Sequence, residues 1–227
     1  MLPTGIVGAA QDPWIRWDWI SAHIPVIRNA LVQHIELTVI AVVVGLLIAV
    51  PLGLLAWRQN ILRGPIFSVT GILYTIPSLS LFAILIPFTG LTVLTAEIGL
   101  VSYTLLILIL NIVEGMDAVP QEVRESARGM GYRSLAELLR IDLPLAIPTI
   151  MAGVRIATVT TIGLVTVTAL IGEGGLGSLI LDGLIRDFNT PLVVGTFLSV
   201  LLAVVADIGL AGLQRLITPW SRGRSSA

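Results

Sequence analysis

Residues 120–144 read PQEVRESARGMGYRSLAELLRIDLP, a charged interval between two long apolar runs. Pro120 opens a helical pattern with Gln121 and Glu122 in its first turn, where a rigid φ and negative charge both suit a helix start. Val123, Ala127 and Met130 share one face, with Arg124 and Arg128 elsewhere, and Gly131 ends or turns the helix. Ser134 is placed as the N-cap of a second short helix, with Glu137 three residues later completing a capping box. Leu135, Leu138 and Leu139 give that helix an apolar face, and Ile141, Leu143 and Pro144 lead into the next apolar run. The interval therefore reads as a helix–glycine–helix module held between two membrane spans. Its helices offer a partner groove apolar knobs and charges. The alternative is a solvated loop packed on the protein's own surface.

Working outward, the flanks are membrane spans. Of 227 residues 56% are hydrophobic and only 12% are charged, about half the charge of an average soluble domain. Crossing a bilayer core takes about 20 apolar residues as a helix. Runs of that kind cover Leu31–Trp57, Pro65–Phe88, Ala96–Val113, Leu145–Ile171 and Leu192–Leu213. The glycine-rich segment Gly172–Thr190 is too polar to span and reads as a loop or short re-entrant piece. The fold expected is all-α: an integral membrane protein of five transmembrane helices. Residues 1–30 form an outer-face interfacial segment, 31–213 the transmembrane domain with its polar loop at 114–144, and 214–227 a tail. Trp14, Trp17 and Trp19 suit a short helix lying in the headgroup zone.

The basic residues orient the chain. All 13 are arginines. With the 114–144 loop inside, nine of them (58, 63, 124, 128, 133, 140, 215, 222 and 224) lie on the cytoplasmic side against Arg16, Arg28 and Arg186 outside. This puts the N-terminus outside and the C-terminus in the cytoplasm of a multi-pass protein of the inner (plasma) membrane.

The two missing residue types exclude chemistry. Lysine is absent, so the chain has no P-loop lysine and no Schiff-base lysine. Cysteine is absent too, which removes thiolate catalysis, disulfides and cysteine metal sites. His23 and His34, eleven residues apart, match no metal-ligand spacing, so no metal is expected. No basic stripe with interleaved aromatics suggests nucleic acid. A membrane-embedded enzyme would need convergent Asp, His or Ser residues on facing helices, and none is evident.

The resemblance follows from the quoted stretch. Glu125-Ser126-Ala127, three residues, Gly131, nine residues, then Ile141-Asp142-Leu143-Pro144 resembles the EAA loop of ABC importer permeases, Glu-Ala-Ala, three residues, Gly, nine residues, Ile-x-Leu-Pro. Ser126 is the one departure, small for small. Tyr74–Leu85 (YTIPSLSLFAIL), the run ARGMGYRSLAELLRIDLPLAIPTIMAGVRIATV and IGEGGLGSLILDGL are similar to the osmoprotectant permeases, whose substrates are glycine betaine, carnitine, choline and related compounds. The likeness covers roughly residues 30–212. It implies a type I importer permease fold, half of a pathway completed by a second permease, either a copy or a paralogue. It also implies a separate ATPase subunit that binds the ATP, and an extracytoplasmic substrate-binding protein. The chain itself then carries no cofactor and is no enzyme. Glu125, Ser126, Ala127, Gly131, Ile141, Leu143 and Pro144 become the ATPase-docking residues. Because the loop marks the superfamily and not the cargo, an importer of another small solute such as an amino acid is the alternative.

Further candidates lie in or near the spans. Pro77 and Ser78 mark a kinked helix, with the Ser78 or Ser80 hydroxyl free to take the released carbonyl. Glu173, Gly174 and Gly175 sit in a glycine-rich turn at the outer mouth, with Glu173 where relatives often have Ala. Pro77, Ser78 and these three are the candidate pathway or gate residues. Arg155 lies about 16 Å past Pro144 and Asp207 about 12 Å before Arg215, similar depths that permit an intramembrane salt bridge. Glu36 and Glu97, near span ends, read as solvated. Gly45, Ala49 and Gly53, and Gly153, Ala157 and Thr161, form smooth stripes for close helix packing.

Overall fold

A computed structural model describes residues 13–220. The chain runs α1 (Trp17–Ala22), α2 (Ile24–Arg58), α3 (Asn60–Thr75), α4 (Ser78–Thr89), α5 (Val93–Asp117), α6 (Gln121–Gly129), α7 (Ser134–Glu137), α8 (Leu143–Val167), α9 (Leu176–Ile185) and α10 (Asn189–Ile217). A π-helical turn, Leu138–Asp142, joins α7 to α8, and a 3-10 turn, Thr168–Ile171, follows α8. Among the described residues, four helical stretches are long and apolar enough to cross a membrane, five if the bent pair α3–α4 counts as one span.

The core is α2, α5 and α8, and small residues set it. A side chain at Gly45 would collide with Thr104, and one at Gly53 would lie 2.7 Å from Ile112. Both contacts step eight residues along both helices, so α2 and α5 run parallel. Gly153 faces Asn111 while Gly115 faces Ala146, so α8 runs antiparallel to α5. In lipid the apolar effect does not drive helices together; close van der Waals contact does, and these glycines supply it. One buried cluster around Ala56, Ile112, Met116 and Leu138 lies at the arginine-rich end. A second, around Leu37, Phe82, Ala96 and Ile171, lies at the other.

The second span differs from the kink expected at Pro77. Ile76 is extended (φ −64°, ψ 127°), as the residue before proline prefers, and α3 and α4 meet at 96°. At the break the Ile76 carbonyl accepts from the Tyr103 hydroxyl of α5.

Three further differences concern boundaries. Leu176–Ile185, within the segment read as a loop, is a ten-residue helix, about 15 Å long and too short to span. The second helix of the polar interval is not separate, since α7, the π turn, α8 and the 3-10 turn form one stretch from Ser134 to Ile171. Residues 24–30 belong to α2 and 214–217 to α10. Trp14 and Trp17 are exposed, whereas Trp19 stacks on His23 and meets Phe188 edge-on. Residues 1–12 of the interfacial segment, and Arg222 and Arg224 of the tail, lie outside the described residues.

Candidate coupling and pathway sites

The polar interval folds into a braced bracket at the arginine-rich end. Helix α6 ends in a Schellman motif: the Tyr132 amide donates to the Ala127 carbonyl at 3.1 Å and the Gly131 amide to Arg128 at 2.9 Å. Gly131 occupies the left-handed position (φ 87°), which explains why glycine stands there. The chain then turns into α7 and back toward α8.

Two ion pairs fix the bracket. Arg128 binds Glu137 with Nε at 3.0 Å and Nη2 at 2.9 Å, although Glu137 is almost fully buried. The hydrogen bond from Arg128 holds the Glu137 carboxyl below the usual carboxylate range. Arg124 Nε donates to Asp142 Oδ1 at 2.8 Å, Arg124 Nη2 donates to the Met116 carbonyl at 2.6 Å, and its guanidinium lies 5.1 Å from the Trp57 ring centroid. One arginine thus ties α6 to the ends of α2 and α5 and to the root of α8.

This corrects the capping box. Arg133 is the N-cap of α7 with no side-chain cap bond, and Ser134 is exposed. Glu137 turns to Arg128 because a guanidinium offers a charge-assisted two-point bond that a backbone amide does not match. The bracing residues Arg124, Arg128, Glu137 and Asp142 were absent from the expected site. Their signal was there in part: two arginines four apart on one helix face, and an aspartate embedded in Ile141–Leu143.

Within the expected docking set, Ala127 is buried, and Ile141, Leu143 and Pro144 are half-buried at the root of α8. Glu125 is exposed and accepts from Gln121 at 2.8 Å, and the exposed Ser126 hydroxyl donates to the Glu122 carbonyl. Met130 (71% exposed), Leu135 (64%) and Leu139 (55%) stand out as apolar knobs. Beside the bracket lies a cavity of about 570 Å³ lined by Trp57, Arg58, Arg128, Ser134, Glu137 and Asp142.

The candidate gate residues fall at two separate junctions. Pro77 and Ser78 are at the α3–α4 break against α5. Glu173, Gly174 and Gly175 form the turn before α9, locked to α2. Gln33 Nε2 donates to Glu173 Oε2 at 2.9 Å, and the Gly175 amide donates back to Gln33 Oε1 at 3.1 Å. The neighbouring His34 is fully buried; its Nδ1 accepts from the Leu176 amide at 3.3 Å, leaving Nε2 to donate to the Ile162 carbonyl at 3.0 Å. Gly175 has φ 50°, and a side chain there would lie 2.7 Å from His34 Cβ. Gln33 and His34 thus hold the turn, and neither was singled out for that in the sequence.

Within the bundle, Arg155 and Asp207 form a two-point pair at 2.8 and 2.9 Å, joining α8 to α10. Glu36 is exposed, but Glu97 is not solvated: both its carboxylate oxygens are enclosed, without a hydrogen-bond partner among the described residues. The 96° bend brings α4 over the start of α5, with Phe82 against Gly99 and the Thr89 hydroxyl on Thr95. The sequence gives no sign of that cover.

Comparison with known proteins adds to this geometry. The family described as "Binding-protein-dependent transport system inner membrane component" matches residues 29–219. The chain is 37% identical over 192 residues to the osmoprotectant import permease protein OsmW of Salmonella typhimurium, covering 82% of this chain and 89% of the relative. It is 37% identical to the choline transport system permease protein OpuBB of Bacillus subtilis (82% and 86% covered) and 36% identical to the carnitine transport permease protein OpuCB of Listeria monocytogenes (85% and 89%). Its fold resembles a chain of the inward-facing MetNI methionine ABC transporter with a TM-score of 0.77 at 20% identity, covering 85% of this chain and 96% of that one.

Proposed function

Because the chain belongs to the family of binding-protein-dependent transport system inner membrane components, we propose that this permease carries small quaternary-ammonium compatible solutes of the betaine, carnitine and choline type. The relatives named for osmoprotectant, choline and carnitine import support this cargo. The arginine-rich end, with seven arginines among the described residues, faces the cytoplasm. There the 114–144 bracket docks on a separate ATPase subunit that binds the ATP, since a chain without lysine has no P-loop lysine of its own. A second permease, copy or paralogue, completes the pathway, and an extracytoplasmic binding protein delivers the solute.

The observation that carries the reading is the bracket's combination of exposed apolar knobs and buried braces. Met130, Leu135 and Leu139 give a partner a surface to grip. Arg124 and Arg128 make the gripped piece stiff and join it to α5 and α8, so a push on α6 moves two core helices instead of deforming a loop. The test is uptake by proteoliposomes holding this chain, its ATPase and its binding protein. ATP-dependent accumulation of radiolabelled glycine betaine, carnitine or choline is expected. Uptake of methionine with none of the three solutes would contradict the cargo, and uptake without ATP would contradict the coupling.

A further inference from the structure

The face that α8 turns away from the core carries an ion pair. At helical spacing it carries Ala152, Arg155, Ile156, Val159, Thr160 and Gly163, all open or half-open. The Arg155 and Asp207 side chains are 32% and 38% exposed about halfway along their helices, whereas the braced Asp142 is only 3% exposed. Elsewhere around α10 the exposed residues Phe197, Val204, Val205 and Ile208 are apolar. Intramembrane charges left half-open line water or face another subunit, because hydrocarbon makes them costly. Here they border a cavity of about 460 Å³ formed by Ala152, Arg155, Ile156, Val159, Thr160 and Asp207, a size typical of small-molecule sites.

We propose that Arg155 and Asp207, with this α8 stripe, form a solute-reading station in the translocation pathway that takes a zwitterion bearing a carboxylate and a quaternary ammonium. The proposal rests on the cargo reading given above. Arg155 uses two of its five N–H donors on Asp207, which leaves three for an incoming carboxylate. A quaternary ammonium has no N–H to donate and is drawn by negative charge, which Asp207 supplies. The solute lies alongside the pair with its charges opposed, so the salt bridge need not break. Ile156 and Val159 receive its methyl groups.

Two measurements on the assembled, reconstituted complex test this. Arg155→Gln with Asp207→Asn removes both charges together while leaving no ion unpaired. Normal assembly with glycine betaine uptake reduced by about 10- to 100-fold, the weight of a charged hydrogen bond, is expected. Uptake equal to wild type overturns the proposal, and so does loss of assembly, which would make the pair a packing device. Because the chain has no cysteine, Val159→Cys carries its only thiol. A water-soluble methanethiosulfonate reagent is expected to label it, more slowly with glycine betaine present. No labelling places the stripe against lipid or the second permease and overturns the proposal. If the wild-type complex imports none of the three solutes, the cargo reading has failed, which is a separate result.

Discussion

Replacing Asp142 by alanine tests whether the bracket is stiff because it is braced. Asp142 is buried, Arg124 is 18% exposed, and they meet at 2.8 Å. Removing one member of a buried ion pair costs about 3–5 kcal/mol, and the partial exposure of Arg124 sets the expected loss near the lower end, about 3 kcal/mol. Arg124 keeps the Met116 carbonyl and the Trp57 ring, so the loss falls on the link from α6 to α8. At about 1.4 kcal/mol per factor of ten, local opening becomes roughly a hundredfold more frequent. Hydrogen–deuterium exchange of the amides from Arg124 to Gly131 reads this directly, and their protection is expected to fall by about two orders of magnitude. Substrate-stimulated ATP hydrolysis by the complex falls with it. Arg124→Met with Asp142→Leu, an apolar pair of similar size, is expected to restore most of the protection, since such replacements are close to neutral. Unchanged exchange in Asp142→Ala would refute the bracing argument.

Other expectations follow from the same contacts. Gly131→Val forces a β-branched residue into a left-handed conformation, at a cost of at least about 1–2 kcal/mol. Nothing lies within 4 Å of the added carbon, so Gly131→Asn is expected to keep far more ATPase stimulation than Gly131→Val. Gly53→Leu drives a side chain into Ile112 and is expected to lower the thermal midpoint of the detergent-solubilised protein, whereas the same change at Gly212, in open space, leaves it unchanged. Gln33→Leu removes both side-chain bonds to the Glu173–Gly175 turn, about 1 kcal/mol each, and is expected to raise amide exchange there without affecting α6. Because Glu137 is held below the usual carboxylate range, its pair with Arg128 is complete above the unfolded carboxylate value near 4.3 and is lost as pH falls through the lowered one. Exchange protection of α6 is accordingly flat from pH 8 to about 4.3.

What the sequence made legible is what local pattern encodes. Apolar runs announced the spans, the small-residue stripes announced close-packing faces on α2 and α8, and Gly131 announced the turn. Partner choice across the fold was not legible. Glu137 has a good local job as a capping residue and takes a better distant one with Arg128. The Ile76 carbonyl at the α3–α4 break is taken by Tyr103 of α5. Glu97 looks like a span-end carboxylate, yet the folded bundle encloses both its oxygens. The glycine-rich turn was visible, but the residues holding it, Gln33 and His34, lie about 140 positions away in the chain. In each case a one-dimensional reading finds the group and its local options, and the bundle supplies a competitor from another helix.

The central claim is that the 114–144 bracket is where an ATPase subunit grips this permease. Met130→Cys puts the chain's only thiol on the most exposed apolar knob of the bracket. A short thiol-to-amine cross-linker applied to the active reconstituted complex is the direct measurement. A covalent product with the ATPase subunit is expected, at a yield that changes when ATP is added. A complex that imports solute yet gives no cross-link from this position, while a thiol placed elsewhere on the arginine-rich end does, would contradict the account.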